Sequence, residues 1–234
     1  MPKAPSCRAR VAAIGWLDPV IIEADLAMVD PPELAFEAGQ WIAIPLDAKT
    51  VRPYSMASPP SERRQIRLCV DVKPGGLGSR YFRDLRVGDE VAFQPPLGTL
   101  TLIKDSLAPV LLVAEEIGVV PFSSILLDQA ERGFPRPMTL HFTAPTVGHL
   151  LYDADFRALA AVQPRFRYRP LLSAADPAGT GEVGSVVAAI ERDADAIAGH
   201  DVLLCGGGAL VKAARDWFLA RGVERKRIRY EKFW

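Results

Sequence analysis

Short alternating or β-rich runs, separated by turn formers, fill the chain from residue 9 to about residue 104. The runs are RVAAIGW, VIIEADLAMV, QWIAIPL, QIRLCVDV, DEVAFQP and GTLTLI, and the turns between them contain DPPEL, LDAKT, ASPPSE, KPGGLG and RVGD. A period of two is typical of strands, and clusters of glycine, proline and aspartate mark turns. With one brief helical piece, SRYFRDL, this spacing predicts a small antiparallel β-barrel.

The pattern changes after SLAP. PVLLVAE and DVLLCG are compact apolar runs typical of strands buried on both faces, whereas PFSSILLDQAERG and ALVKAARDWFLARG place apolar residues at helical spacing and stop at glycine. Strand and helix then alternate, which predicts an α/β doubly wound parallel sheet with its ligands at the C-terminal strand ends. The chain is therefore predicted to form two domains, residues 1–106 and 107–234.

Composition excludes several classes of function. Lysine plus arginine and aspartate plus glutamate both number 28, so the net charge of zero creates no field that attracts nucleic acid or an anionic membrane. No apolar run approaches the roughly 18 residues of a membrane span, and the N-terminus does not read as a signal peptide. Cys7, Cys69 and Cys205 are widely separated, which argues against disulfides and metal sites and favours a cytoplasmic location.

The segment RPYSMAS combines a cation, a flat aromatic ring and a small hydroxyl on one predicted strand. Alternation puts Arg52 and Tyr54 on one face and Ser55 on the other, so a bulge or kink would be needed for all three to contact one ligand. A guanidinium for phosphate, a phenol ring for stacking and a hydroxyl for a ring nitrogen suit a flavin nucleotide. An edge strand with a solvated arginine and a core tyrosine is the alternative.

About twenty residues later, KPGGLGSRYF supplies three glycines and a serine before a predicted helix. Ser79 is a candidate N-cap, and Gly76, Leu77 and Gly78 would let backbone N–H groups approach a phosphate at the positive end of that helix. A glycine-rich hairpin turn is the alternative for this segment alone. The two segments, in this order within a barrel pattern, favour a flavin nucleotide site.

These motifs resemble those of the ferredoxin–NADP reductase superfamily, in which a flavin-binding barrel precedes a nicotinamide-binding domain. FEAGQWIAIPL is similar to the strand before the flavin motif, RPYSMAS to the Arg-x-Tyr-Ser motif, GGLGSRYF to the pyrophosphate loop and PPLGTLTL to the barrel-closing segment. In the second half, LLCGGGALVKAARDWFLARGV is similar to the Cys-Gly-Pro-Pro segment and IRYEKFW to the closing strand. The resemblance covers nearly the whole chain.

The resemblance implies a role for each matching residue. Arg52 would pair with the flavin diphosphate, Tyr54 would pack on the isoalloxazine, and Ser55 would hydrogen-bond near its N5. The implied cofactor-binding residues are Arg52, Tyr54, Ser55, Val70, Val72, Gly76, Gly78, Ser79, Gly118, Gly206 and Gly207, with Val70 and Val72 acting through their backbone or serving as β-core residues. The implied catalytic residues are Ser55, Cys205 and Glu231 near the hydride path, and Phe233 or Trp234 covering the flavin. A buried unreactive cysteine and a frayed terminus are the alternatives for Cys205 and the two aromatics.

One segment departs from the family pattern. The usual Gly-Gly-Thr-Gly or Gly-Gly-Ile-Gly is AEEIGVVP here, so Glu115 and Glu116 replace two glycines while Gly118 and Pro121 remain. A side chain obstructs backbone approach to a diphosphate, and two unit charges about 4 Å apart at an effective dielectric near 20 interact by roughly 4 kcal/mol. HFTAPT also lacks the arginine that often meets a ribose phosphate. Either the two carboxylates obstruct the nucleotide, or they point to solvent and the nicotinamide binds in a shifted pose.

Together with these observations, the resemblance implies a FAD-dependent NAD(P)H:ferredoxin-type reductase, which moves electrons between a nicotinamide nucleotide and a separate one-electron carrier. Because no cluster-binding cysteines exist on this chain, the carrier (a ferredoxin, Rieske protein, flavodoxin or oxygenase component) would be another polypeptide.

The alternative is a flavoprotein electron-transfer subunit that no longer binds NAD(P), with Glu115 and Glu116 closing the nucleotide site. A binding module with neither cofactor is the third interpretation, which the intact flavin motif opposes. FMN in place of FAD stays open, and NADH is favoured over NADPH because no basic cluster stands at the expected 2′-phosphate position.

Overall fold

The structure of the protein is a computed structural model that describes residues 6–175, 181–193 and 197–233. This part of the chain divides into two compact units. One unit contains the described residues up to Thr99 together with Ser123–Asp128, and the other contains Leu100–Phe122 and the described residues from Gln129 onward. None of the helices formed by the described residues has the length and apolar character needed to cross a bilayer.

Residues 6–99 of the first unit form six antiparallel strands and one helix. The strands are β1 (Cys7–Asp18), β2 (Ile21–Asp30), β3 (Trp41–Pro45), β4 (Val51–Ser55), β5 (Gln65–Asp71) and β6 (Glu90–Leu97), and helix α1 (Leu77–Asp84) follows β5. Their order in the sheet is β4-β3-β6-β1-β2-β5. Met56, directly after β4, forms an antiparallel bridge with Leu68 of β5, so the two edges of the sheet meet. The predicted antiparallel barrel is confirmed.

The interior of this barrel follows the period of two that the sequence indicated. From Cys7 to Val11 every second side chain of β1 is buried, and the arginines between them are exposed. Leu26, Ile42 and Phe82 are fully buried members of the same core, so α1 contributes to it as well as the strands. Each such side chain stabilises the fold by roughly 1.5–3 kcal/mol through burial. This core fixes the positions of β4 and α1, which carry the predicted flavin motifs.

The rest of the chain alternates strands and helices. The strands are β7 (Val110–Glu115), β8 (Met138–Ala144), β9 (Phe166–Leu172), β10 (Asp201–Gly206) and β11 (Ile228–Lys232); the helices are α2 (Val120–Glu131), α3 (Asp153–Val162), α4 (Val186–Asp193) and α5 (Gly208–Ala220). All four strand pairings are parallel. The predicted doubly wound parallel sheet is confirmed.

The strand order of this sheet, β11-β10-β7-β8-β9, contains one reversal of direction. The chain runs from β7 outward through β8 to β9, and then returns to the other side of β7 for β10 and β11. In sheets of this kind, the crevice beside such a reversal, at the C-terminal strand ends, is the usual ligand site. The ends of β7 and β10 are therefore the first place to look for a ligand site in this unit.

A buried ion network stands at the opposite, N-terminal end of these strands. Asp201 begins β10 and is completely buried, and Arg136, just before β8, exposes 6% of its side chain. Nη1 of Arg136 donates to Oδ2 of Asp201 at 2.7 Å, and Nη1 of Arg227, just before β11, donates to Oδ1 at 2.9 Å. A buried carboxylate is tolerated only with such partners, so the network holds the starts of three elements together.

Candidate functional site

Strand β4 carries the first predicted flavin motif. Its pairing with β3 has no register shift, and it places Tyr54 opposite Ile42 and Arg52 opposite Ile44. Arg52 and Tyr54 therefore share one face, and Ser55 faces the other side, as alternation predicted. Arg52 is exposed, Tyr54 is half-buried and Ser55 is buried. The regular strand directs the Ser55 side chain away from the face shared by Arg52 and Tyr54.

Tyr54 connects this strand to the glycine-rich segment. Its ring meets Phe82 of α1 edge-on, with centroids 4.8 Å apart. A Cβ added at Gly78 would lie 2.3 Å from the Tyr54 hydroxyl oxygen, so only glycine allows this approach. Burial raises the pKa of Tyr54 to about 12, against the opposing effect of the Arg52 charge. The phenol is therefore neutral at physiological pH and presents a rigid ring beside the start of α1.

Helix α1 begins at Leu77, three residues earlier than a Ser79 N-cap would place it, so that prediction is wrong. Gly76 is the N-cap, and no side chain caps the helix there. Ser79 lies in the first turn and is buried. The backbone of Gly76 is extended while its carbonyl accepts the first helical bond from Arg80, which leaves the earlier N–H groups without intrahelical partners.

The start of α1 fits a phosphate. A Cβ added at Gly76 would meet nothing within 4 Å, so the space before the helix is open. Unpaired N–H groups at a helix start, together with the helix dipole, favour an anion there. Arg52 is exposed, and among the described residues its guanidinium donates only to the Val51 carbonyl, at 3.1 Å, so it supplies a cation whose other donors are open to a ligand. This part of the structure therefore fits the diphosphate of a flavin nucleotide.

Val70 and Val72 were predicted either to contact the nucleotide through their backbone or to serve as core residues. Both side chains are buried in the barrel core. Val70 pairs with Ile22 across β2, and the Val72 N–H donates to the Val20 carbonyl at 2.8 Å. The Val72 carbonyl accepts a bond from Arg83 at 3.2 Å. The core role is present in the structure, and their backbone contact with a cofactor stays a prediction.

Cys205 and Glu231 lie side by side, paired across β10 and β11. Cys205 is fully buried. Burial, and secondarily the negative charge of Glu231, raises the pKa of the Cys205 thiol well above its usual range. The thiol is therefore neutral and a poor nucleophile, so any contribution it makes is as a packing group or weak hydrogen-bond donor.

Phe233 follows β11, and its backbone N–H donates to the Gly206 carbonyl at 3.1 Å. Its side chain is 36% exposed. The hydrogen bond ties the end of the chain to the loop after β10. Trp234, predicted to share its role, lies outside the described residues.

The loops after β7 and β10 approach each other closely. A Cβ added at Gly118 would lie 2.3 Å from the Cys205 carbonyl oxygen, and one added at Gly206 would lie 2.7 Å from the Glu115 Cβ. Real Cβ atoms do not show contacts this short, so these glycines are required by packing. The predicted residues Gly118, Gly206 and Gly207 are thereby gathered at the reversal of strand direction.

Glu115 and Glu116 have different environments. The Glu115 carboxylate points inward, and its Oε2 accepts the backbone N–H of Gly207, the N-cap of α5, at 2.9 Å. Glu116 begins a 3-10 helix with φ of 46°, in the left-handed region that favours glycine. The two predicted alternatives were that both carboxylates obstruct the nucleotide or that both point to solvent, and neither holds for both residues. Glu115 is bonded to the Gly207 N–H, whereas Glu116 makes no such bond within the described part of the chain.

Sequence reasoning missed the partner of Glu115. A signal was available, because GGGAL begins a helix without Ser, Thr, Asp or Asn to cap it. Such a helix start needs an acceptor from elsewhere in the fold. The sequence did not indicate which residue supplies it.

A cavity of about 450 Å³ opens beside the edge strand β9, away from these loops. Its lining residues are Val147, Leu150, Arg157, Tyr168, Arg169, Pro170, Leu172, Gly181 and Glu182. Arg157 is held by Asp153 at 2.7 Å, and the Tyr168 hydroxyl donates to the same carboxylate at 2.9 Å. Arg157 and Tyr168 are thus both bound to Asp153, and Glu182 pairs with Arg192, so we assign no reactive group to this cavity.

Metal chemistry was not predicted from the sequence. Within residues 6–175, 181–193 and 197–233, no three His, Cys, Asp or Glu side chains form a group that could hold a metal ion. Cys7, Cys69 and Cys205 are buried, and none of the three is in a disulfide.

Two family models match the chain in succession. The oxidoreductase FAD-binding domain matches residues 24–102, and the oxidoreductase NAD-binding domain matches residues 112–216. Among solved structures, the cytochrome P450 reductase GcoB of Amycolatopsis is similar with a TM-score of 0.85 and 28% identity, over 97% of this chain and 69% of that one.

Two curated relatives differ in length. Ferredoxin–NADP reductase B of Sorangium cellulosum (strain So ce56) is 32% identical over 245 residues, which cover the whole of both chains. The ferredoxin–NAD(P)(+) reductase component of the naphthalene 1,2-dioxygenase/salicylate 5-hydroxylase systems of a Ralstonia species is 35% identical over 77% of this chain, which spans 55% of that protein. With the two family models and the matching folds, these similarities establish that the chain belongs to the ferredoxin–NADP reductase superfamily and is a FAD-dependent oxidoreductase.

Proposed function

We propose that this protein takes electrons from NAD(P)H and delivers them to a separate one-electron carrier. The observation that carries the proposal is the flavin site of the barrel, where Tyr54 contacts Gly78 beside an uncapped, open helix start. The NAD-binding domain that follows it along the chain supports a nicotinamide nucleotide as the electron donor. FAD, when bound, supplies the chemistry that accepts a hydride and releases its two electrons one at a time.

The side chains of the barrel bind and orient the flavin. Arg52 would pair with the diphosphate, and the N–H groups after Gly76 would hold it at the positive end of α1. Tyr54, which packs against Phe82, would stack on the isoalloxazine and exclude water from one face. Ser55 serves near the flavin N5 only if β4 bends on binding, since its side chain now faces the other way.

The loops at the reversal of strand direction bind the nucleotide substrate. Gly118, Gly206 and Gly207 line the crevice at the ends of β7 and β10, which supports the placement of NAD(P)H there. Cys205 and Glu231 lie next to that crevice. The family resemblance would give Phe233 and Trp234 the role of covering the flavin until the nucleotide displaces them.

The proposed domain division is residues 1–106 for FAD and 107–234 for the nucleotide. It is supported by the family matches to residues 24–102 and 112–216, which lie on either side of it.

The partner is a ferredoxin, Rieske protein, flavodoxin or oxygenase component. The support is that the Ralstonia relative and two terephthalate 1,2-dioxygenase reductases are named as reductase components of oxygenase systems. The three cysteines, none of which is in a disulfide, support a reducing compartment such as the cytoplasm.

The alternative, a flavoprotein that no longer uses NAD(P), rests on Glu115 occupying the Gly207 N–H. It is not favoured, because the NAD-binding domain match runs through both loops and the relatives are reductases. A carboxylate held by one hydrogen bond can rotate away, so the bond weakens nucleotide binding without abolishing it.

The proposal is tested by loading the protein with FAD and supplying NADH or NADPH with ferricyanide or a purified ferredoxin as acceptor. We expect nucleotide-dependent reduction of the acceptor, which the apoprotein and a FAD-loaded sample without nucleotide do not give. A protein that binds FAD yet reduces neither acceptor with either nucleotide contradicts the proposal.

A further inference from the structure

Glu115 stands at the point where the nucleotide substrate would bind. Cys205 pairs with Ala114 across β10 and β7, so the next residues, Gly206 and Glu115, face each other at the C-terminal strand ends. The reversal of strand direction lies between these two strands. A side chain that projects there shares its space with any ligand of the crevice.

The carboxylate occupies a donor that an anionic ligand would use. The Gly207 N–H belongs to the N-cap of α5, and Glu115 Oε2 accepts it at 2.9 Å. N–H groups at a helix start are suited to phosphates and carboxylates, and a bond to a charged acceptor is roughly twice as strong as a neutral one. The Glu115 carboxylate therefore takes the place at the N-terminus of α5 that an anionic ligand would otherwise occupy.

Packing holds the base of the Glu115 side chain in place. Its Cβ lies where a side chain at Gly206 would collide, at 2.7 Å, and Gly118 is pressed against the Cys205 carbonyl. These close approaches pack the Glu115 backbone directly against the loop after β10. A ligand that needs the Gly207 N–H must therefore rotate the carboxylate away and lose its hydrogen bond.

Glu116 provides a built-in comparison. It carries the same charge one residue later, at the start of the 3-10 helix Glu116–Val119. Within the described residues its carboxylate has no hydrogen bond to the start of α5. General negative charge at this turn would act through both residues, whereas competition for the Gly207 N–H acts through Glu115 alone.

We propose that Glu115 is a specificity-determining residue that competes with the diphosphate of the nicotinamide nucleotide for the start of α5 and so weakens nucleotide binding. This inference rests on the proposed function, because it concerns the same nucleotide site. The residue sets the nucleotide concentration at which the protein works, and leaves the flavin site untouched.

The test compares the FAD-loaded full chain with its Glu115→Gln and Glu116→Gln variants. Calorimetric titration with NAD⁺ and with NADP⁺ measures affinity without turnover. Glutamine keeps the size of the side chain and an acceptor for the Gly207 N–H, but not the charge. We expect Glu115→Gln to bind both nucleotides roughly tenfold tighter or more, and Glu116→Gln to stay within about twofold of the unchanged protein.

Equal tightening by both variants, or no tightening by Glu115→Gln, overturns the assignment to Glu115. FAD content and thermal midpoint report whether the variants are folded, and Glu115→Ala serves as a second variant that must tighten binding in the same direction. If the unchanged protein is reduced by NADH or NADPH while Glu115→Gln binds no tighter, this inference alone fails. If none of the proteins binds or is reduced by either nucleotide, the proposed function fails with it.

Discussion

Tyr54 and Gly78 meet so closely that each determines what the other position can hold. The tyrosine hydroxyl lies where a methyl group at Gly78 would be, and Phe82 supports the ring from the side. Because the ring is half-buried and packed, it cannot turn aside without a cost in packing energy. A flavin ring stacked on Tyr54 therefore depends on a glycine 24 positions further along the chain.

Gly78→Ala is expected to lower FAD affinity at least about tenfold, since the added Cβ forces the Tyr54 ring out of position by more than its packing tolerates. Fluorescence titration of the apoprotein with FAD measures the effect. Gly15→Ala is the matched control, because a Cβ there meets nothing within 4 Å. Equal FAD affinity in Gly78→Ala and the unchanged protein would show that the Tyr54 ring does not need this position.

Arg52 is exposed, so its removal should affect the cofactor far more than the fold. Arg52→Ala is expected to reduce FAD affinity roughly 10- to 100-fold, as loss of a charged hydrogen-bond donor to a phosphate does, and Arg52→Lys should recover only part of it because lysine cannot bind two oxygens in a fork. The apoprotein should melt at an unchanged temperature. A large fall in apoprotein stability with little change in FAD affinity would assign Arg52 to the fold instead.

At the scale of elements, the turn after β7 stores backbone strain that its neighbours do not share. Glu116 has a φ of 46°, whereas Glu115 is extended with a φ of −127°. A side chain in the left-handed region costs energy that glycine does not, so this turn retains the backbone shape of a glycine turn after losing the glycine.

Glu116→Gly is expected to raise the free energy of unfolding by roughly 0.5–1 kcal/mol, the relief of strain being partly offset by the greater freedom of glycine in the unfolded chain. Glu115→Gly should lower it, because the Gly207 N–H loses its acceptor. Urea unfolding followed by circular dichroism checks both. Destabilisation by Glu116→Gly would contradict the strain argument.

The ion network of Asp201, Arg136 and Arg227 lies at the N-terminal end of the parallel strands. We expect it to contribute more to the stability of this unit than the exposed ion pairs do. Asp201→Asn leaves the buried Arg136 without a full counter-charge and is expected to lower the free energy of unfolding by about 3 kcal/mol. Lys212→Gln, which removes one partner of the exposed Lys212–Asp216 pair and touches no member of the network, should leave the unfolding midpoint unchanged. Two variants with the same small effect in urea unfolding would show that the network contributes little.

Features that depend on the local period of the chain, such as the face of a strand on which a residue lies, could be predicted from the sequence. Contacts that depend on which strands become neighbours could not. Arg52, Tyr54 and Ser55 could be assigned to faces because β4 is a regular strand. The N-cap at Ser79 was wrong because the extended backbone of Gly76 starts the helix earlier than the side-chain preference for serine suggests. The bond from Gly207 to Glu115 joins residues 92 positions apart, and it exists only because β10 returns beside β7.

At the scale of the whole molecule, the flavin is expected in the barrel and the nicotinamide nucleotide in the parallel-sheet domain. The barrel offers an open helix start and a rigid aromatic ring, and the parallel sheet offers a crevice in which Glu115 takes one backbone donor. Flavin binding should therefore be insensitive to Glu115, and nucleotide binding should be sensitive to it. The central claim is that a nicotinamide nucleotide nevertheless reduces the flavin.

Anaerobic stopped-flow mixing of the FAD-loaded protein with NADH and with NADPH tests that claim most directly. We expect the visible absorbance band of the oxidised flavin to bleach with at least one nucleotide, at a rate that rises with nucleotide concentration and saturates. A flavin that dithionite bleaches, but that neither nucleotide reduces at any concentration, would contradict it.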